Sequence, residues 1–330
     1  MQKVLKNIKV FLTGGSGFIG THLRLLLESS GIEVVYFDKN KPKIESPSKF
    51  IQGDIRNYET LYKSMEGCSM VFHLAAEWDD FIEDINLYYD VNVKGTQNVI
   101  NAAKALSIKK IINYSSVSVY GEIDSECNEQ TTPLNPVNHY GKSKLQAEIL
   151  FNQWLEEDPS LSVIHLRPSV VFGINNYGNI YRLINQIASG KYFHISRATS
   201  MKSITYVENV IEASLFLAQS MKNGLEAYNI SDEPHQSSIQ ISNTIANSLG
   251  KRIQLTIPYW LAYMAAIPFD LLIFITKKNF PISTMRIRKY CTQTLSSSKK
   301  LIDLGFKPKY NSIQGLDKTT KWYNVSRKNP

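Results

Sequence analysis

Short apolar runs alternate with longer segments of helical period through the first half of the chain. "KVFLTGG" (9–15) predicts a buried strand that enters a glycine turn, and "FIGTHLRLLLESSG" (18–31) predicts a helix stopped by Gly31. The pattern repeats. Strands are expected at 33–38, 48–55, 69–76, 109–116 and 162–171, with helices at 58–67, 91–106 and 179–190 and one opening near Asn138. Strands and helices in alternation imply βαβ units and a parallel sheet covered on both faces. The later chain is more mixed. It predicts a strand then a helix over 203–219, a strand at 228–232 and a helix at 238–250.

One apolar segment stands apart. "YWLAYMAAIPFDLLIFIT" (259–276) is nearly free of charge, but Pro268 and Asp270 interrupt it and Lys277 and Lys278 follow. Each intact run is too short to cross a bilayer. A buried helix pair is expected here, with a patch lying on a membrane surface as the rival.

Composition narrows the class. A chain of 330 residues, 43% hydrophobic and 20% charged, can bury a large core, so disorder is expected only at ends such as "SRKNP" (326–330). The formal charge of +8 comes from scattered lysines, so a nucleic-acid partner is not expected, although an anionic small molecule fits. Cys68, Cys127 and Cys291 lack metal or redox spacing, so neither a metal nor a disulfide is expected. "MQKVLKNIKVFLTGG" makes a poor signal peptide, and a cytoplasmic protein is expected.

The chemistry gathers at strand ends. In "TGGSGFIG" (13–20), Gly14 permits a tight turn, Gly17 lets backbone approach a pyrophosphate and Gly20 lets the helix pack on the strand. Phe18 and Ile19 open that helix, whose free N–H groups suit phosphates. Asp38 closes the second strand, eighteen residues after Gly20, where an acid takes ribose hydroxyls and favours NAD over NADP; Lys39 weakens that exclusion. Asp54 and Ile55 end the third strand, and Asp54 is placed to meet an adenine amino group. In "NHYGKSKLQAEIL" (138–150), Tyr140 and Lys144 stack on one helical face. A fixed ammonium favours the phenolate of a phenol whose ordinary pKa is about 10.

These motifs, in this order, resemble those of an extended short-chain dehydrogenase/reductase of the NAD-dependent epimerase/dehydratase family. The likeness rests on the glycine loop, "HLAA" (73–76), "NVKGTQNV" (92–99), "SSVSVYGE" (115–122), "YGKSK" (140–144), "LRPSVVFG" (166–173) and "ITYVENV" (204–210). It implies an α/β, Rossmann-type doubly wound parallel sheet with a smaller, mixed C-terminal substrate domain. The nucleotide domain would be 1–171, with 203–232 returning to it; 172–202 and 233–330 would bind substrate. It implies Ser116, Tyr140 and Lys144 as the catalytic triad, with Tyr140 and Lys144 also touching NAD beside Leu74, Ala75 and Ala76. The substrate would be a nucleoside-diphosphate sugar, epimerised or oxidised by hydride transfer to and from NAD with Tyr140 as acid/base, in a homodimer.

Departures from the family pattern matter. Val117 and Ser118 follow Ser116 where 4,6-dehydratases carry Asp-Glu, so that activity is disfavoured. Val170 replaces a common substrate-side Asn, and Lys202 replaces an Arg. Asn179 resembles a substrate-side Asn, Lys202 is placed to meet a phosphate, and Arg286 and Arg288 are the candidates for the far end of a diphosphate; Glu77, in the loop "AEWDDFIEDINLYYD" (76–90), follows the Ala pair toward the nicotinamide side. The alternatives are a dehydrogenase or reductase of a sterol- or isoprenoid-like alcohol at a membrane surface, and a non-catalytic NAD-sensing protein.

Overall fold

The computed structural model describes residues 8–79, 82, 84–276 and 283–328. Asp80, Phe81 and Glu83 of the 76–90 loop, Lys277 and Lys278, most of the N-terminal basic stretch, and the final two residues lie outside that set. The first half builds β1 (Lys9–Thr13), α1 (Phe18–Ser29), β2 (Glu33–Asp38), β3 (Lys49–Gln52), α2 (Tyr58–Met65) and β4 (Met70–His73). Then follow α3 (Asn86–Tyr89), a π-helical turn (Asp90–Lys94) that runs straight into α4 (Gly95–Ala105), β5 (Lys110–Tyr114), a 3₁₀ turn (Val117–Tyr120), α5 (His139–Glu157) and β6 (Ser162–Pro168). The helix expected at 91–106 therefore starts earlier and carries a π turn, a feature that recurs at functional sites.

Seven parallel strands form the sheet in the order β11-β6-β5-β4-β1-β2-β3, where β11 is Gly224–Ile230. Alternate residues face opposite layers. Val10, Leu12, Val34, Tyr36, Met70, Phe72 and Ile112 join one buried cluster; Phe11, Val35, Phe37, Val71 and Ile111 join the other. Helices cover both faces, which is why these strands read as unbroken apolar runs. The order reverses between β1 and β4, so their carboxyl ends open the crevice where such sheets bind ligands.

Beyond β6 the chain leaves and re-enters this layer. The strand expected over 162–171 breaks at Ser169, whose N–H bonds Ile230 O at 2.9 Å. The remainder becomes β7 (Val170–Phe172), which pairs with a later strand instead of continuing the sheet. After β7 come α6 (Asn179–Ala188), β8 (His194–Ile195), β9 (Met201–Lys202), β10 (Ile204–Tyr206, the partner of β7) and α7 (Val207–Ser220), which leads into β11. β12 (Gln236–Ser237), α8 (Ser238–Ser248) and β13 (Thr256–Ile257) complete two small ladders with β9 and β8. Asp232 ties these pieces together. Its buried carboxylate accepts from Tyr206 N at 2.7 Å and Asn209 Nδ2 at 2.8 Å, and burial raises its pKa to about 7.

The expected buried pair at 259–276 is not what forms. A single helix, α9 (Tyr259–Thr276), runs through Pro268, and only Ala262 and Ala266 on it are buried. It meets α10 (Thr284–Cys291) through these two alanines and Ile287. Proline removes one helical hydrogen bond but does not stop this helix. α11 (Lys299–Asp303) and α12 (Ser312–Lys328) close the chain.

Candidate active site

The glycine loop is held by backbone and by Asp38. Gly14 has φ +70°, and its N–H bonds Phe37 O at 2.8 Å. A Cβ on Gly20 would sit 2.1 Å from Gly14 O, so only glycine lets α1 approach the turn. Gly15 matters equally and was missed in the sequence: a Cβ there would meet the Tyr36 side chain at 2.5 Å. Asp38 accepts from Ser16 N at 3.0 Å and Asn40 N at 2.9 Å. Its pKa is raised by burial, which these backbone bonds oppose.

Helix α1 starts at Gly17 with no side-chain cap and no acid in its first turn. The N–H groups at Phe18, Ile19 and Gly20 are thus left for an external acceptor, and the helix dipole favours an anion there. The Ser16 Oγ is buried beside them without a protein partner. Such a cradle fits a dinucleotide pyrophosphate. Ile55 is buried at the end of β3, directly under Gly95 of α4. The Asp54 carboxylate, the adenine candidate, is already paired: Arg56 holds it through Nε at 3.0 and 3.1 Å and Nη2 at 2.6 Å. The reason is local, since the chain turns so that residues two apart face each other.

On the other side of the crevice, Thr13 Oγ1 accepts from Leu74 N and Ala75 N, both at 3.1 Å, and bonds His73 Nδ1 at 2.8 Å. His73 Nε2 bonds Thr96 Oγ1 at 2.9 Å, and Thr96 donates to Asn92 O at 2.6 Å. Burial pushes the His73 pKa down to about 3, so this chain of polar groups stays neutral. It fixes the backbone at Leu74, Ala75 and Ala76.

Asn92 opens the 92–99 motif, which by itself gives it no role; the structure makes it a positioning residue. Its Oδ1 accepts from Glu77 N at 2.7 Å, and its Nδ2 donates to Glu77 O and to Ser143 Oγ, each at 2.9 Å. One buried amide thereby ties the loop after β4 to α5, the helix that carries Tyr140 and Lys144. An asparagine inside a predicted helix, where it is a poor former, was the available signal. Glu77 itself turns to Lys39, the residue after Asp38, with Nζ 3.6 Å from Oε2.

Asn138 caps α5 by accepting from Gly141 N at 2.7 Å. Tyr140 lies half-buried in the first turn, its ring 6.3 Å from that of Tyr88. Ser116 caps the 3₁₀ turn, accepting from Ser118 N and donating to Ser118 Oγ, both at 3.1 Å. That turn packs on α5 at Gly141, where a Cβ would stand 2.5 Å from Ser118 O. The fold therefore brings the Ser116 turn against the helical face that presents Tyr140 and Lys144.

Lys144 is 4% exposed, and burial lowers its pKa to about 8, partly offset by Glu148 one turn on. Glu148 is committed elsewhere: Arg167 grips it through Nε at 2.9 Å and Nη2 at 2.6 Å. Arg167 Nη1 donates to Tyr120 Oη at 2.8 Å, which donates to Asn229 Oδ1 at 2.9 Å. This buried network supports the floor beneath Lys144.

The substrate-side candidates separate. Asn179 is exposed at the start of α6. Lys202 does not reach out for a phosphate; its Nζ donates to Lys289 O at 3.0 Å and to Thr292 O, so it pins the end of α10. Burial lowers its pKa to about 8. Arg286 is half-buried on α10. Arg288 lines a cleft of about 430 Å³ with Arg197, Ser196, Thr199, Ser200 and Tyr259. Its Nη2 reaches to 3.9 Å from Glu122, in the loop after the Ser116 turn. Val170 is 46% exposed and offers no polar group to a ligand.

The model of the NAD dependent epimerase/dehydratase family matches residues 10–231, two thirds of the chain. The chain belongs to that family. NAD is the cofactor the cradle and Asp38 fit. An Escherichia coli O157:H7 protein named N-acetyl-alpha-D-glucosaminyl-diphospho-ditrans,octacis-undecaprenol 4-epimerase is 37% identical over 324 residues, covering 98% of this chain and 97% of its own. A Mus musculus sterol-4-alpha-carboxylate 3-dehydrogenase, decarboxylating, is 26% identical, covering 98% of this chain and 93% of its own. Among solved structures, MoeE5 in complex with UDP-glucuronic acid and NAD superposes with a TM-score of 0.79 at 27% identity, over 96% of this chain and 99% of its own.

Proposed function

We propose that this family member is an NAD-dependent 4-epimerase of an amino sugar joined through a diphosphate to a polyprenyl carrier. When bound, NAD supplies the hydride acceptor and donor. Tyr140 takes the proton from the sugar's C4 hydroxyl and returns it after the sugar has turned, which restores both enzyme and cofactor. The Lys144 ammonium favours the phenolate, and the Ser116 hydroxyl donates a hydrogen bond to the reacting oxygen. Val117 and Ser118 supply no acid for elimination, which supports epimerisation over dehydration.

The observation that carries the lipid-linked substrate is the cleft at the root of α9. It joins two arginines and several hydroxyls, suited to a diphosphate, to a helix whose apolar side chains face outward. The substrate in the Escherichia coli relative's name has the same two parts. Two unpaired, buried cysteines, Cys68 and Cys127, support placement on the cytoplasmic face, in a reducing compartment. A homodimer is part of this proposal; its test is the mass of the purified protein in solution.

The deciding experiment incubates the NAD-loaded protein in detergent with polyprenyl diphospho-N-acetylglucosamine or with UDP-N-acetylglucosamine. Inversion at C4, read by NMR, is expected for the lipid-linked sugar without net NADH. Inversion of the UDP-sugar alone would remove the lipid from the proposal. The exposed apolar helix also favours a second reading, a dehydrogenase of a sterol-like alcohol. Stoichiometric NADH formation with such an alcohol would favour that reading instead.

A further inference from the structure

We propose that α9 is a monotopic anchor whose C-terminal tip enters one leaflet of an anionic phospholipid bilayer and returns without crossing it. Immersion depends only on α9 and its surroundings; its use, to bring a lipid-linked sugar to the cleft, rests on the function proposed above.

The surface is unusual for water. Trp260 is 65% exposed, Met264 58%, Leu271 60%, Phe274 72% and Ile275 65%. Contiguous apolar surface of this kind marks an interaction site. With Leu261, Tyr263, Ile267 and Leu272 also exposed, this apolar face spans about half the circumference of the helix, wider than the narrow seam by which two helices usually pair. Charge complementarity selects lipid. Residues 251–291 carry Lys251, Arg252, Lys277, Lys278, Arg286, Arg288 and Lys289 against the lone acid Asp270. This excess of basic residues in the segment suits the negative surface of an anionic leaflet. Tyr259, Trp260 and Tyr263 at the other end have the amphipathic rings that favour the headgroup level.

Length alone allows a span, since eighteen helical residues rise about 27 Å. The connection forbids it. Asp270, two thirds of the way along α9, accepts from Thr284 N at 3.1 Å and from Thr284 Oγ1 at 2.5 Å. Thr284 begins α10, so the chain is already back beside α9 there. From α10 the chain continues into the protein body: Ser200 Oγ bonds Cys291 O at 2.7 Å, and Cys127 N bonds Leu295 O at 3.0 Å. Of the described residues between Asp270 and Thr284, the helical part past that tie is Leu271–Thr276. Six residues reach about 9 Å, the depth at which interfacial helices sit and well short of a full bilayer.

The test floats the full-length, NAD-loaded protein with vesicles of phosphatidylcholine containing phosphatidylglycerol. Wild type is expected to float with them, less well in pure phosphatidylcholine or high salt. A Leu271→Ser/Phe274→Ser/Ile275→Ser variant with an unchanged circular dichroism spectrum is expected to lose at least about tenfold in partitioning. Its turnover of a short-chain, water-soluble sugar diphosphate is expected to match wild type. A nitroxide at Ile275→Cys is expected to report immersion in the near leaflet. The anchor is overturned if wild type stays soluble, if the serine variant floats equally well, or if that variant merely turns a dimer into a monomer in lipid-free buffer. A label at Thr276→Cys that emerges on the far side would overturn the monotopic form. Flotation and depth need no turnover, so inactivity on lipid-linked sugars would sink the epimerase reading and leave the anchor standing.

Discussion

Two apolar runs in this chain have opposite fates. "MVFH" in β4 is buried to 2% exposure or less at every residue, while in "LLIFI" at 271–275 four of five residues are exposed. Composition does not separate them. β4 is a central strand with helices on both sheet faces, so each side chain finds a dry neighbour. Among the described residues, α9 packs on the protein through Ala262, Ala266, Tyr259 and the Asp270–Thr284 tie, and most of its other side chains are exposed. An apolar run states a need for an apolar environment; the fold decides whether protein supplies it.

The largest effect that bears on this contrast belongs to the buried half. Tyr140→Phe is expected to lower kcat about 10³-fold or more with little change in melting temperature, read by C4 inversion under saturating substrate. A similar turnover for the variant would sink the assignment of Tyr140. Next comes Arg167→Met, which strands Glu148 as an unpaired buried charge. It is expected to cost about 3–5 kcal/mol, measured by urea unfolding. Asp38→Asn removes the charge at the end of β2 where this family's pattern puts the ribose-binding acid. NAD affinity is expected to fall about tenfold or more by calorimetry, with weaker discrimination against NADP.

Lys144 gives a pH-dependent prediction with a defined sign. Its folded pKa of about 8 lies below the ordinary 10.5, so folding releases a proton between those values. The strain of burying the ammonium is full at neutral pH and is relieved as pH rises from 8 to 10.5. Lys144→Met is therefore expected to melt above wild type at pH 7, with the gap closing by pH 10.5, and to lose activity throughout. Wild-type activity is expected to decline on an alkaline limb near pH 8 as the ammonium is lost. The smallest effect is Phe274→Ser in detergent-free buffer, within about 0.5 kcal/mol of wild type. A loss of 2 kcal/mol or more there would mean that α9 is covered in solution and that the contrast fails.

Much of the nucleotide half was legible because its signals are local. A strand, a glycine turn and a helix in sequence leave few other folds, and the acid at Asp38 follows at a fixed distance. Tyr140 and Lys144 announce themselves by helical spacing. The supporting groups were harder to see, because they act through distant partners. Asn92 joins Glu77 to Ser143, fifty-one residues away. Glu148 and Arg167 matter only once α5 lies on β6. Lys202 read as a phosphate ligand because a motif position carries no information about what the fold packs against it.

The sequence by itself determined the parallel sheet, the cofactor loop and the spacing that puts Tyr140 and Lys144 on one helical face, since hydrophobic period, glycine and helical spacing are properties of neighbouring residues. Tertiary structure decided what surrounds them. It set the neutral chain from Thr13 to Asn92, the burial that lowers Lys144, the capture of Asp54 by Arg56 and the exposure of α9. Burial, charge pairing and solvent contact depend on groups that meet only after the chain has folded, and that is why no local pattern could fix them.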